Sequence, residues 1–179
     1  MRNEISWKDH MEWELKHRGK ENLEHTKKFF KHVLTNYAGI TATRTYFNAL
    51  EIGIGQSGGF IGIMDNIVNK VSLDPIYGDY KDKAESMPFK DYEFDLVIIS
   101  NALDHCDNPY QVGREITRVL SPKGILFVLN FVGEDEHHPH SFTDLSDVTT
   151  LFPDLRLLEQ HLCQKVLKRN DFWALTFEK

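Results

Sequence analysis

Three stretches of this 179-residue sequence carry groups that can do chemistry. The first is Ala49-Leu50-Glu51-Ile52-Gly53-Ile54-Gly55-Gln56-Ser57-Gly58-Gly59, a strand-like run passing straight into glycines. Glycines placed after a strand and before a helix let the backbone approach a ligand and turn free N–H groups towards it. Glu51 stands two residues before the first glycine, where a carboxylate can meet a cation directly or through water. Asp74 closes the next apolar stretch, 19 residues after Gly55, where a carboxylate can accept hydrogen bonds from both hydroxyls of a ribose. The spacing Gly53-x-Gly55-x-x-Gly58 taken alone suits a dinucleotide equally well.

The second stretch is Asp104-His105, directly after the apolar run Phe94–Ser100. A histidine titrates near neutrality and can take a proton from an acceptor. Cys106 follows it, but no basic neighbour pattern activates the thiol, so it reads as a partly buried cysteine. The third stretch is Glu134-Asp135-Glu136-His137-His138-Pro139-His140, after the apolar run Ile125–Phe131. Histidines among carboxylates are potential metal ligands. Consecutive positions on one loop rarely converge on one ion, however, so no metal is expected. His138 or His140 is expected instead to bind or deprotonate an acceptor.

The elements that must position these groups follow from hydrophobic periodicity. Residues 4–35 read as one or two amphipathic helices with a break at Gly19, through Trp7, Met11, Leu15, Leu23, Phe29, Phe30, Val33 and Leu34. Strands are expected at Tyr46–Ile52, Lys70–Leu73, Phe94–Ser100 and Ile125–Phe131, the last two buried on both faces. A short helix is expected at Ile61–Val68, another at Val112–Leu120, and a third capped by Ser141 or Thr143 and ending near Phe152. Residues 76–92 read mostly as loop, with one short strand or turn near Ala84. Arg156–Cys163 and Phe172–Glu178 are joined too closely for a crossover helix and should pair antiparallel. Strands alternating with helices predict an α/β fold, a doubly wound, mostly parallel Rossmann-like sheet ending in an antiparallel hairpin. One domain is expected over 1–179, with residues 1–40 as a helical lid over a cofactor-binding core at 45–179. On that lid Trp7, Trp13, His17 and Arg18 could face an acceptor.

Composition narrows the function classes. Hydrophobic residues make up 41% and charged residues 27%, ordinary for a globular chain. The net charge is −6 and the basic residues are dispersed, which argues against nucleic acid as a partner. No apolar run approaches the ~20 residues that span a bilayer, and the charged N-terminus is no secretory signal. Cys106 and Cys163 lie far apart and form no metal knuckle or redox pair. No membrane association and a cytoplasmic location are expected.

Four ordered motifs resemble the class I S-adenosylmethionine-dependent methyltransferases, in the small-molecule branch called methyltransferase type 11. LEIGIGQSGGF is similar to their first motif and VSLDP to their second. AESMPFKDYEFDLVIISNALDHCDNP and REITRVLSPKGILFVLN resemble the later ones. The likeness spans about residues 46–132. It departs from the family in a cut-down or absent second helix before Ala84 and in one glycine rather than two after Pro122. It implies S-adenosyl-L-methionine as cofactor and S-adenosyl-L-homocysteine as product. On that likeness Gly53, Ile54, Gly55 and Gln56 would line the methionine and ribose, and Glu51 is counted with them as cofactor-binding. Asp74 would hold the ribose hydroxyls and Pro75 would lie against the adenine. Ala84 and Glu85 would flank the adenine edge, and Asn101 and Ala102 would face the methionine. The family has no fixed catalytic triad, so Asp104, His105, His138 and His140 are expected by position alone. A histidine-bearing loop after this strand is familiar in relatives associated with sugars, which points to a sugar or glycan-derived hydroxyl as acceptor. The rival readings are a non-catalytic cofactor-binding module and a nicotinamide-dependent oxidoreductase.

Overall fold

The computed structural model describes residues 23–133, 138–163 and 172–179. In chain order these form α1 (Leu23–Tyr37), α2 (Gly39–Thr43), β1 (Tyr46–Ile52), β2 (Ile67–Leu73) and β3 (Phe94–Ser100). A 3₁₀ turn at Leu103–His105 follows, then α3 (Pro109–Val119), β4 (Leu120–Phe131), α4 (Leu145–Thr149), β5 (Arg156–Leu162) and β6 (Phe172–Glu178). The six strands lie in the order β2-β1-β3-β4-β6-β5. The first four are parallel. β6 runs antiparallel to both β4 and β5, giving the terminal hairpin the sequence implies.

Successive strand residues point to opposite faces, and both faces are covered. Leu50, Val97, Ile99, Leu126 and Val128 pack with Val112 and Ile116 of α3. Ala49, Ile98 and Phe127 pack on the other side with Phe29, Phe30 and Val33 of α1. This explains the unbroken apolar runs in β3 and β4. It also corrects the lid expectation for residues 23–40: α1 is a layer of the core, with Phe30 stacked on Phe60 at 4.2 Å between ring centroids. Trp7, Trp13, His17 and Arg18 lie outside the described residues.

The expected helix at Ile61–Val68 does not form. Residues 55–63 make a series of turns, and Ile67 and Val68 already belong to β2, which therefore starts three residues before Lys70. The reason is local. Gly55, Gly58 and Gly59 take φ of 53°, 78° and 64°, outside the helical region. The Glu51 carboxylate also accepts hydrogen bonds from the N–H groups of Phe60 and Ile61, at 2.9 and 2.6 Å. Residues 76–92 are mostly loop, as expected, with a single bridge from Tyr80 to Leu73 and a turn rather than a strand at Ala84. α4 is capped by Asp144 rather than Ser141 or Thr143; its carboxylate accepts from Ser146 and Asp147 N–H, and Asp147 reciprocates in a capping box. α3 starts three residues earlier than expected because Asn108 caps it and Pro109 suits its first turn.

The parallel strands all end on one edge. There β1 has β2 on one side and β3 on the other, so the connections leave in opposite directions and open a crevice, the usual ligand position in open α/β sheets.

Candidate functional site

A cavity of about 250 Å³ fills that crevice. It is lined by Gly53, Gly55, Gln56, Asp74, Pro75, Ala84, Glu85, Asn101, Ala102 and His105, all singled out in the sequence. Ile54 and Glu51 do not line it. Glu51 is wholly buried beneath the glycine turn, so it meets backbone N–H groups rather than a cofactor. Burial pushes its carboxyl up to about 7 against the pull of those two bonds.

Gly53 marks the closest approach of two strand ends. Its φ is 74°, and a Cβ there would stand 2.4 Å from the Ala102 side chain beyond β3. Its N–H donates to Leu73 O at the end of β2, at 2.8 Å. Gly55 shows the opposite environment: a Cβ would meet no atom within 4 Å, because it faces the cavity. Asp74 ties this turn to the next strand. One carboxylate oxygen accepts from Gly55 N–H at 3.0 Å, and the other accepts from Ile76 and Tyr77 N–H at 2.8 and 2.9 Å. Asp74 thus caps the turn after β2 and locks the glycine turn with one residue. A carboxylate has about four acceptor positions, so one direction remains for a ligand hydroxyl. Since no helix follows the glycines, no helix dipole contributes here; the donors are turn amides.

The far wall is the loop carrying Ala84 and Glu85, and α3 braces it. Arg118 donates to Phe89 O, Met87 O, Asp91 and Glu115, while Glu115 accepts from Met87 N–H. The Arg118 guanidinium lowers the Glu115 pKa through that charged hydrogen bond. Glu85 turns its carboxylate back onto Asp107 and Asn108 N–H. Sequence reasoning did not single out Tyr77, Asp82, Lys83 or Cys106 as lining residues. Tyr77 was legible in hindsight, because it sits in the turn that Asp74 caps. Cys106 donates its thiol to Ala102 O, and burial followed by Glu85 and Asp104 raises its pKa, which disfavours a thiolate.

Past β3 the chain turns at Asn101, in the left-handed region at φ 48°, a conformation asparagine tolerates better than most residues. The 3₁₀ turn then presents Asp104 and His105. His105 Nε2 lies 3.7 Å from one Asp104 oxygen, and His138 Nε2 lies 3.8 Å from the other. The two imidazole rings meet edge to face at 4.6 Å. Asp104 is 5% exposed. Of these three, His105 alone lines the cavity. His140 stands apart: its N–H donates to Asp104 O, and its Nε2 is 3.2 Å from Asp107 O. Glu134, Asp135, Glu136 and His137 lie outside the described residues.

A family described as "Methyltransferase domain", type 11, matches residues 74–128, from the capping aspartate into β4. Over those residues the chain is similar to the methyltransferases of the type 11 branch. Among curated proteins it is 27% identical to an uncharacterized protein of Methanocaldococcus jannaschii, over 69% of this chain and 63% of that one. It is 43% identical to the ubiquinone/menaquinone biosynthesis C-methyltransferase UbiE of Hahella chejuensis, over 33% of this chain and 25% of that one. The chain therefore spans less than two thirds of each of these relatives. Among solved structures it superposes on the N-methyltransferase NodS of Bradyrhizobium japonicum, in complex with S-adenosyl-L-homocysteine, with a TM-score of 0.70. The identity there is 13%, and 87% of each chain is covered. It also superposes on the cyclase SpnF, with a TM-score of 0.66 and 14% identity over 83% of this chain and 80% of that one. These two structures share this fold, and their names give different chemistries. No helix among the described residues is long and apolar enough to cross a membrane.

Proposed function

We propose that this chain transfers the methyl group of S-adenosyl-L-methionine to a hydroxyl of a small, sugar-like acceptor. The observation that carries the reading is the junction of Gly53, Gly55 and Asp74 at the crevice, where turn amides and a carboxylate face one cavity. In this pose the ribose hydroxyls meet Asp74, and the adenine lies between Pro75 and the Ala84–Glu85 wall. The methionine portion runs past Gln56 towards Asn101 and Ala102. The sulfonium end then points at His105.

Transfer is a direct displacement: the acceptor oxygen forms its bond to the methyl carbon as the carbon–sulfur bond breaks, and the sulfonium becomes a neutral thioether. The protein's task is alignment and exclusion of water, which is worth several kcal/mol of barrier. A hydroxyl must also lose its proton, and the polar corner of His105, Asp104 and His138 is the place where it does so. That corner favours a hydroxyl over an apolar ring carbon as acceptor. His140 has no part in this step, because its ring and backbone are bonded to the 104–107 turn.

Two measurements test the proposal. S-adenosyl-L-homocysteine, and not NAD, should raise the melting temperature; stabilisation by NAD alone would return the oxidoreductase reading. Labelled S-adenosyl-L-methionine offered with sugars, alcohols, phenols and amines should then label a hydroxyl compound. Cofactor binding with no transfer to any of these would favour a binding module, since the fold alone does not fix the reaction. His105→Ala should keep cofactor affinity and slow transfer at least about tenfold.

A further inference from the structure

The corner formed by Asp104, His105 and His138 has a second property. We propose that it holds one divalent first-row metal ion, such as Zn²⁺ or Co²⁺, at the acceptor end of the cavity. One ligand atom from each residue lies within 4.8 Å of the others, and they come from two separate segments. The sequence-based objection to a metal concerned consecutive positions on a single loop. Here the convergence is made by the sheet: β3 and β4 are neighbours, so the segments following them meet.

The distances suit ligands better than hydrogen-bond partners. At 3.7 and 3.8 Å, neither histidine nitrogen bonds directly to the Asp104 carboxylate. Two ligands on a tetrahedral ion with bonds near 2.1 Å stand about 3.4 Å apart; each histidine lies near that spacing from one Asp104 oxygen, and the three ligand atoms, all within 4.8 Å of one another, close on an ion by moving up to about 1.4 Å. Asp104 supplies the independent observation: it is 95% buried, and its Oδ1 has no hydrogen-bond partner among the described residues. A buried oxygen left without a partner in that way costs about 1–3 kcal/mol unless a cation or donor meets it. Two imidazoles and one carboxylate suit a first-row divalent ion rather than Mg²⁺ or Ca²⁺, and three protein ligands leave positions open.

An open position beside His105 gives the acceptor hydroxyl a place to coordinate. The ion lowers the hydroxyl's pKa, its proton passes to water, and the oxygen attacks the methyl group as above. That catalytic role rests on the methyl-transfer reading; occupancy of the corner by an ion does not.

The test uses the full chain, stripped with a chelator and titrated with Co²⁺. One equivalent should bind and give a visible d–d absorption band. Asp104→Asn and His138→Ala should each weaken binding at least about tenfold, while His161→Ala on β5 leaves it unchanged. S-adenosyl-L-homocysteine affinity, measured on every variant, reports that the fold and cofactor site survive. No stoichiometric Co²⁺ binding, or binding that both corner variants retain, would overturn the proposal. Loss of cofactor binding in the unaltered protein would instead strike the methyl-transfer reading and leave the metal result standing. If the site is as drawn, chelation should slow transfer at least about tenfold and Zn²⁺ or Co²⁺ should restore it.

Discussion

At the glycine-turn end of the cavity Asp74 accepts three backbone N–H groups and Glu51 accepts two. At the end of β3 the pattern is reversed: Ser100 Oγ, Asn101 Oδ1 and Asp104 Oδ1 are buried without a hydrogen-bond partner among the described residues. Satisfied groups fix a shape before any ligand arrives, whereas unsatisfied buried groups cost about 1–3 kcal/mol each until something meets them. The first end is therefore a preformed shape, which the proposed reading gives to the cofactor. The second keeps unmet hydrogen-bonding capacity, which the same reading leaves to the acceptor or an ion.

Substitutions at the two ends should separate cleanly. The largest effect is expected at Gly53→Ala, which places a Cβ 2.4 Å from the Ala102 side chain at a φ of 74°. The left-handed conformation alone costs about 1–2 kcal/mol, and the clash forces β1 and β3 apart. S-adenosyl-L-homocysteine affinity, read by calorimetry, should fall about a hundredfold or more; an unchanged value would break the comparison outright.

Asp74→Asn comes next. It keeps one acceptor oxygen but sets an NH₂ against backbone N–H groups on the other side. Affinity should fall about tenfold to a hundredfold for ~1–3 kcal/mol lost. Arg118→Met removes the brace behind the Ala84–Glu85 wall and leaves Met87 O and Phe89 O without their guanidinium donor. About 1–2 kcal/mol should be lost, visible as a melting temperature lower by a few degrees. Cofactor affinity should drop only a few-fold.

The smallest effect on binding is expected at Glu51→Gln, whose signature is pH dependence. The folded-state pKa of Glu51 is raised from 4.5 to about 7 by burial, so the native state holds this proton more tightly than the unfolded chain. Its contribution to stability is full below about 4.5 and is lost as pH rises through about 7. Melting temperatures between pH 5 and pH 8 should therefore fall less steeply in Glu51→Gln than in the unaltered protein. Equal slopes would show that Glu51 is already ionised under the glycine turn.

Much of the preformed shape was legible in the sequence. β1, β3 and β6 occupy the segments their apolar runs indicate, and Gly53, Gly55 and Asp74 meet where strand–turn patterning puts them. The misread segment was 61–68, where a helix was expected to follow the glycines; turns run to residue 63 and β2 begins at Ile67. Apolar spacing in Phe60, Ile61 and Met64 resembles a helix, but it arises from packing under α1 while Glu51 satisfies the amides. Nothing local reveals that a glutamate nine residues back will take the place of helical carbonyls. The corner of Asp104, His105 and His138 was legible only as separate candidates. Its assembly depends on β4 lying beside β3, a property of the sheet order rather than of either segment.

One bond links recognition to chemistry. His140 N–H donates to Asp104 O, so the segment bearing His138 is moored to the very turn that presents His105. On the methyl-transfer reading proposed above, an acceptor too bulky for the space would displace that segment only by dragging the His105 turn out of line with the sulfonium. Ill-fitting molecules would then be penalised in turnover more than in occupancy, with discrimination exercised at the displacement step itself.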